Sequence, residues 1–155
     1  MSSTTPLQPQ EFERAVGSAI AFAVTTVAER SFFACVDPGE VPDLDGITSE
    51  WYVATVRFDD GPVCGSLTCS LPSDLGLWLF DAFTGRDPVT PAPQQHQLDD
   101  LVGEFANMVC GTWLTRCEAH RVFRLSPPAI SHVRGEEAVS DMSCAGWWSR
   151  ACEVK

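Results

Sequence analysis

The sequence predicts an α+β domain, a mostly antiparallel sheet with helices packed on it. Three features lead there: an amphipathic pattern opening the chain, two alternating runs joined by a tight turn, and a long amphipathic helix in the second half flanked by short strand-like segments. A chain of 155 residues is one ordinary domain (1–155), large enough to bury a real core and small for two.

From Pro9 to about Arg30 the apolar residues Phe12, Val16, Ile20, Val24 and Val27 recur at helical spacing, with Glu11 and Glu13 near the positive end of the helix dipole. Phe32 to Asp37 reads as a short β segment ending at the turn Asp-Pro-Gly, and an acidic polar loop runs through Asp45. Ser49 to Phe58 forms a strand. Asp59-Asp60-Gly61 separates it from a second alternating run, Val63 to Leu71, which is the sequence form of an antiparallel hairpin. Pro72 and Ser73 open a second helix carrying Leu75, Leu79 and Phe83, which Gly85 stops. After a loop rich in Pro and Gln, a third helix is predicted from about His96 to Arg116. Arg121 to Leu125 and the C-terminal segment Trp147 to Val154 suit further strands.

Composition removes several classes of function. The formal charge is −11 and Lys155 is the only lysine, so too few cations are present to neutralise a nucleic-acid backbone. The longest apolar stretch, Ala19 to Val24, is far shorter than a bilayer span, and the N-terminus lacks the basic flank of a secretory signal, so a cytoplasmic protein with no membrane insertion is expected. Seven cysteines include no Cys-x-x-Cys pair and are odd in number, which favours buried free thiols over a disulfide framework. Cys117 and His120 are the best zinc candidates, yet no repeated ligand spacing accompanies them, and no metal site is expected.

On the third helix, Leu98, Leu101, Val102, Phe105, Met108, Val109, Thr112 and Trp113 fall in one apolar arc. Opposite them Asp100, Glu104, Asn107 and Gly111 form a single stripe, placing Glu104 beside Asn107. Asn107 is the only asparagine in the chain and sits mid-helix, where its amide competes with backbone bonding. Any amphipathic helix has a polar face, so the spacing alone decides nothing.

The segment Asp100-Leu-Val-Gly-Glu104-Phe-Ala-Asn107-Met-Val-Cys-Gly111 resembles the signature helix of the CheC, CheX and FliY phosphatase family: an acid, then Glu-x-x-Asn, then glycine. Downstream, Leu125-Ser-Pro127-Pro128-Ala-Ile130 is similar to that family's proline-containing start of a strand, although the proline lies a residue or two nearer the asparagine than is usual, which implies a shorter connection. The strand from Gly65 to Pro72 and the helix from Leu75 to Phe83 fit the CheX layout. Members of the CheC type carry two such helices, but the stretch from Glu11 to Arg30 contains no asparagine, so one active site is expected and the CheX-like branch is favoured.

The resemblance implies a phosphatase acting on the phospho-aspartate of a CheY-like response regulator, with Glu104 and Asn107 as catalytic residues. Asn107 would orient the attacking water without adding negative charge, and Glu104 would pair with the regulator's lysine. The regulator would bring its own Mg²⁺, so this chain would hold no intrinsic cofactor. The resemblance implies a homodimer formed around the sheet as well; the apolar run at Trp147 and Trp148 fits either an exposed sheet edge that such a dimer covers or a cap on the monomer's own core. For Asp100 a supporting role competes with the ordinary preference for acids near a helix N-terminus. Two other readings stand beside this one: a binding module of the same fold that docks a regulator without hydrolysis, as in flagellar switch proteins, and an unrelated metal-dependent hydrolase using Glu104 with His120 or His132.

Overall fold

The computed structural model describes residues 9–38, 50–87, 89–135 and 152–154. Three helices are present among them: α1 (Pro9–Ser31), α2 (Ser73–Thr84) and α3 (Gln95–Cys117). The strands are β1 (Val36–Pro38), β2 (Glu50–Asp59), β3 (Cys64–Pro72), β4 (Arg124–Leu125), β5 (Ala129–Arg134) and β6 (Cys152–Val154). Every pairing is antiparallel. The α+β architecture is therefore the one that the patterning predicts.

β2 is the centre of the main sheet. One of its edges pairs with β3 along the hairpin; the other is shared by β4, against Phe58 and Asp59, and β5, against Glu50 to Thr55. Its alternation divides its side chains: Tyr52, Ala54, Val56 and Phe58 are buried, while Arg57 is exposed. α3 lies on the sheet, and α1 packs against α3. The core joins Val27, Ala28 and Phe32 from the first segment to Val56, Leu67 and Leu71 from the sheet and to Val102, Phe105, Ala106 and Val109 from α3.

The hairpin turn is tied by its own backbone. Asp60 N–H donates to the Val63 carbonyl at 3.0 Å. Val63 N–H donates to Asp60 Oδ1 at 2.9 Å, and Gly61 takes φ +93°. That Val63 hydrogen bond, with a second from Arg121 at 2.6 Å, lowers the Asp60 carboxyl below its ordinary value. Gly85 ends α2 in the left-handed conformation (φ +66°) that glycine adopts without strain.

Between β4 and β5 the register against β2 slips by one residue. Phe58 faces Leu125, but Thr55 faces Ala129. Pro127 and Pro128 fill this bulge, where missing N–H groups break no regular ladder. Ser126 heals the gap twice: its N–H donates to the Arg57 carbonyl at 2.8 Å, and its Oγ accepts the Arg57 N–H at 3.1 Å.

Several expectations need correction. The segment from Phe32 is not a strand until Val36, because Phe33 takes φ +55° and Phe32 turns inward onto Phe105, with ring centroids 5.3 Å apart. The strand expected from Arg121 shortens to Arg124–Leu125, since Arg121 is held off by Asp60. β5 was implied only as the start of a strand, yet it is a full partner of β2. Cys35, Cys64, Cys69, Cys110 and Cys117 are free thiols, but of these Cys110 alone is buried; Cys69 is half-buried, and Cys35, Cys64 and Cys117 are exposed. Burial pushes the Cys69 thiol up to about 12, with Cys110 adding to the shift, and Cys110 up to about 11, so neither is a nucleophile at neutral pH. Of the expected C-terminal strand, Cys152–Val154 is present as β6; Trp147 and Trp148 lie outside the described residues.

Candidate functional site

α3 begins where its first turn can be satisfied locally. Gln97 Oε1 accepts the Gln94 N–H at 2.9 Å, and the Gln97 N–H donates to the Gln94 carbonyl at 2.9 Å. From this start the helical period carries Leu98, Leu101, Val102, Phe105, Ala106 and Val109 into the core. The same period leaves Asp100 and Glu104 exposed and Asn107 and Gly111 half-buried. Asp100 is the sixth residue of the helix, beyond the first turn where the dipole acts most strongly, so the dipole gives little reason for its acidity.

Glu104 and Asn107 thus stand one turn apart on an accessible face. Neither side chain has a hydrogen-bond or ion-pair partner among the described residues, so a carboxylate and a carboxamide are both open to an incoming group. Beside Glu104 lies a shallow cleft of about 180 Å³ lined by Asp99, Asp100, Gly103, Glu104, Pro128 and Ile130. Its floor is apolar and its rim is acidic.

Gly103 sets the depth of that cleft. A Cβ added there would lie 3.3 Å from Pro128 Cβ and 3.4 Å from Ile130 Cδ1, so glycine is what allows α3 to approach the bulge so closely. Pro128 is held in the bulge between two segments that both pair with β2, so it yields little. Gly103→Ala is therefore expected to lower stability by about 1 kcal/mol, the overpacking cost exceeding the gain in helix propensity. A chemical denaturation midpoint that rises instead would show that the bulge gives way.

A polar cluster anchors the N-terminal end of α3. Gln95 Nε2 donates to Tyr52 Oη and to Asp99 Oδ1, both at 3.1 Å. His132 Nε2 donates to the same Asp99 oxygen at 2.8 Å, and its ring meets Tyr52 edge to face at 5.1 Å. Sequence reasoning missed this cluster as well as Gly103 and Ile130. Only Gln95, Asp99 and Tyr52 in register with His132 could have hinted at it, and that register becomes visible once β5 is placed.

The histidines do not join Glu104. His132 is engaged by Asp99, and His120 follows the end of α3, whose last residue, Cys117, is about 20 Å along the axis from Glu104 at 1.5 Å per residue. Among the described residues no three His, Cys, Asp or Glu side chains are grouped to hold a metal, and Cys117 with His120 forms no such group. No helix among them is long and apolar enough to cross a membrane.

A family model described as chemotaxis phosphatase CheX matches residues 52–147, more than half of the chain and a span that includes most of β2 and all of β3, α2, α3, β4 and β5. Among solved structures, the chain is similar to the chemotaxis protein CheX from Vibrio vulnificus, with 17% identity and a TM-score of 0.60 over 77% of this chain and 76% of that one. It is similar to FliY from Thermotoga maritima, with 17% identity and a TM-score of 0.59 over 86% and 74%. A third is the chemotaxis protein CheX from Desulfovibrio desulfuricans, with 16% identity and a TM-score of 0.57 over 90% and 82%. At these identities the likeness is one of fold. No curated protein matches the chain.

Proposed function

The chain belongs to the CheX family of chemotaxis phosphatases, and from that premise we propose that it hydrolyses the phospho-aspartate of a CheY-like response regulator with Asn107 and Glu104. The observation that carries this reading is the pair itself: a carboxamide and a carboxylate, adjacent on one accessible helix face and engaged by no described residue.

Hydrolysis of an acyl phosphate requires a water in line with the scissile bond. The water oxygen bonds to phosphorus, the bond from phosphorus to the aspartate oxygen breaks, and that oxygen leaves as a carboxylate; the water proton passes to the phosphate product or to solvent. The regulator would supply Mg²⁺ and a lysine to meet the charge on the phosphoryl oxygens, which leaves alignment to this chain. Asn107 Oδ1 accepts from the water and orients it, and the neutral amide adds no repulsion beside the phosphoryl group. Glu104 pairs with the regulator's lysine and fixes the docked helix.

Mixing the protein with a phosphorylated response regulator from its own source and following the acyl-phosphate lifetime tests the proposal. Shortened lifetime and stoichiometric phosphate release are expected. Binding without acceleration would leave a docking module of the same fold. The reading places the protein in the cytoplasm beside its regulator and includes a homodimer assembled around the sheet, for which light scattering is expected to give twice 16.9 kDa; a 16.9 kDa particle across micromolar concentrations would rule the dimer out.

A further inference from the structure

We infer that His132 is a positioning residue for the Glu104 and Asn107 pair, acting through Asp99 to fix where α3 sits along the sheet. This rests on the phosphatase reading for its kinetic consequence, but its structural part stands on the cluster alone.

Apolar packing holds α3 between the sheet and α1, but the hydrophobic effect that drives it has no direction of its own. Hydrogen bonds are directional. The bonds around Asp99, 2.8 to 3.1 Å long, join α3 to β5 through the exposed His132 and to β2 through Gln95 and Tyr52. The anchor itself is firm: Tyr52 is buried, and a Cβ on Gly76 of α2 would lie 3.1 Å from its ring.

Asp99 also lines the cleft that Glu104 borders, so the anchored turn and the proposed docking face are continuous. Asn107 follows Asp99 by eight residues, about 12 Å along the axis, on a rigid helix that transmits a displacement of its N-terminal half. Alignment of a nucleophile tolerates such displacement poorly, since a misplacement of about 1 Å can cost about 100-fold in rate. Asp99 is thereby committed to position, which leaves Asp100 and Glu104 as the cleft carboxylates without a partner among the described residues.

The test uses His132→Ala, which removes the donor, and His132→Gln, whose amide can still donate to Asp99. Against a phosphorylated response regulator, His132→Ala is expected to lower kcat about tenfold with KM within about twofold, and His132→Gln to stay within about threefold of the parent. Adding His132→Ala to Asp99→Ala is expected to cost little more than Asp99→Ala alone, because the His132 bond has already lost its acceptor.

A readout independent of activity comes from Asn107 being the only asparagine. Selective ¹⁵N-asparagine labelling of the full chain gives one carboxamide pair, expected to shift in His132→Ala and to hold in His132→Gln. Unchanged carboxamide signals in His132→Ala, additive losses, or a shifted signal with unchanged kcat would each overturn the inference. If the parent protein does not shorten the acyl-phosphate lifetime, the phosphatase reading fails, and the carboxamide signals alone decide whether His132 positions α3.

Discussion

Asn107→Ala is expected to lower kcat for phospho-aspartate hydrolysis by about 100-fold while leaving KM within about twofold. The amide of Asn107 acts on a water whose order matters chiefly in the transition state, so its loss falls on turnover and not on docking. The fold is expected to survive, because Asn107 is half-buried, has no side-chain partner among the described residues, and alanine is the better helix former. Asn107→Asp is expected to be no rescue, since it puts a second negative charge against the phosphoryl oxygens. Single-turnover kinetics with circular dichroism on the same samples checks both points. Full activity in a folded Asn107→Ala protein would end the water-positioning mechanism, whatever family the chain belongs to.

Glu104→Ala is expected to act earlier in the reaction. The carboxylate is exposed, and its proposed partner is a cation on another protein, so its removal raises KM about tenfold at low ionic strength and lowers kcat as well. The defect in KM is expected to shrink as salt is added, because added salt already screens the lost attraction in the parent protein. A titration of KM against salt concentration for parent and variant reads this directly. Parallel curves would mean that Glu104 is not the docking charge, even if activity falls.

The helix bearing both residues was legible because helical period and burial agree along it. The apolar arc from Leu98 to Trp113 places its ends within a residue of those observed, and the stripe containing Glu104 and Asn107 follows from the same geometry. The β2–β3 hairpin was legible through its alternation and its Asp-Asp-Gly turn. What escaped is long-range. The run from Ala129 to Arg134 is partly exposed and begins at two prolines, so its local pattern is faint, and only pairing with β2 defines it. The contact of Gly103 with Pro128 depends on a one-residue slip in that pairing, which no local pattern records. Cys64 and Cys35 are exposed although cysteine is by preference a buried residue, a reminder that residue type is a weaker guide to burial than position on a face.

The bulge at Pro127 and Pro128 has a bearing on how the sheet meets other chains. Among the described residues no strand lies beyond β4 and β5, so their outer side is a potential template for strand addition and for aggregation. Two consecutive residues there have no N–H to offer in either direction, and the register slip twists the strand at the same place. An added strand would lose donors midway and meet a kinked backbone. The residues that bring α3 close to the sheet therefore also blunt that edge.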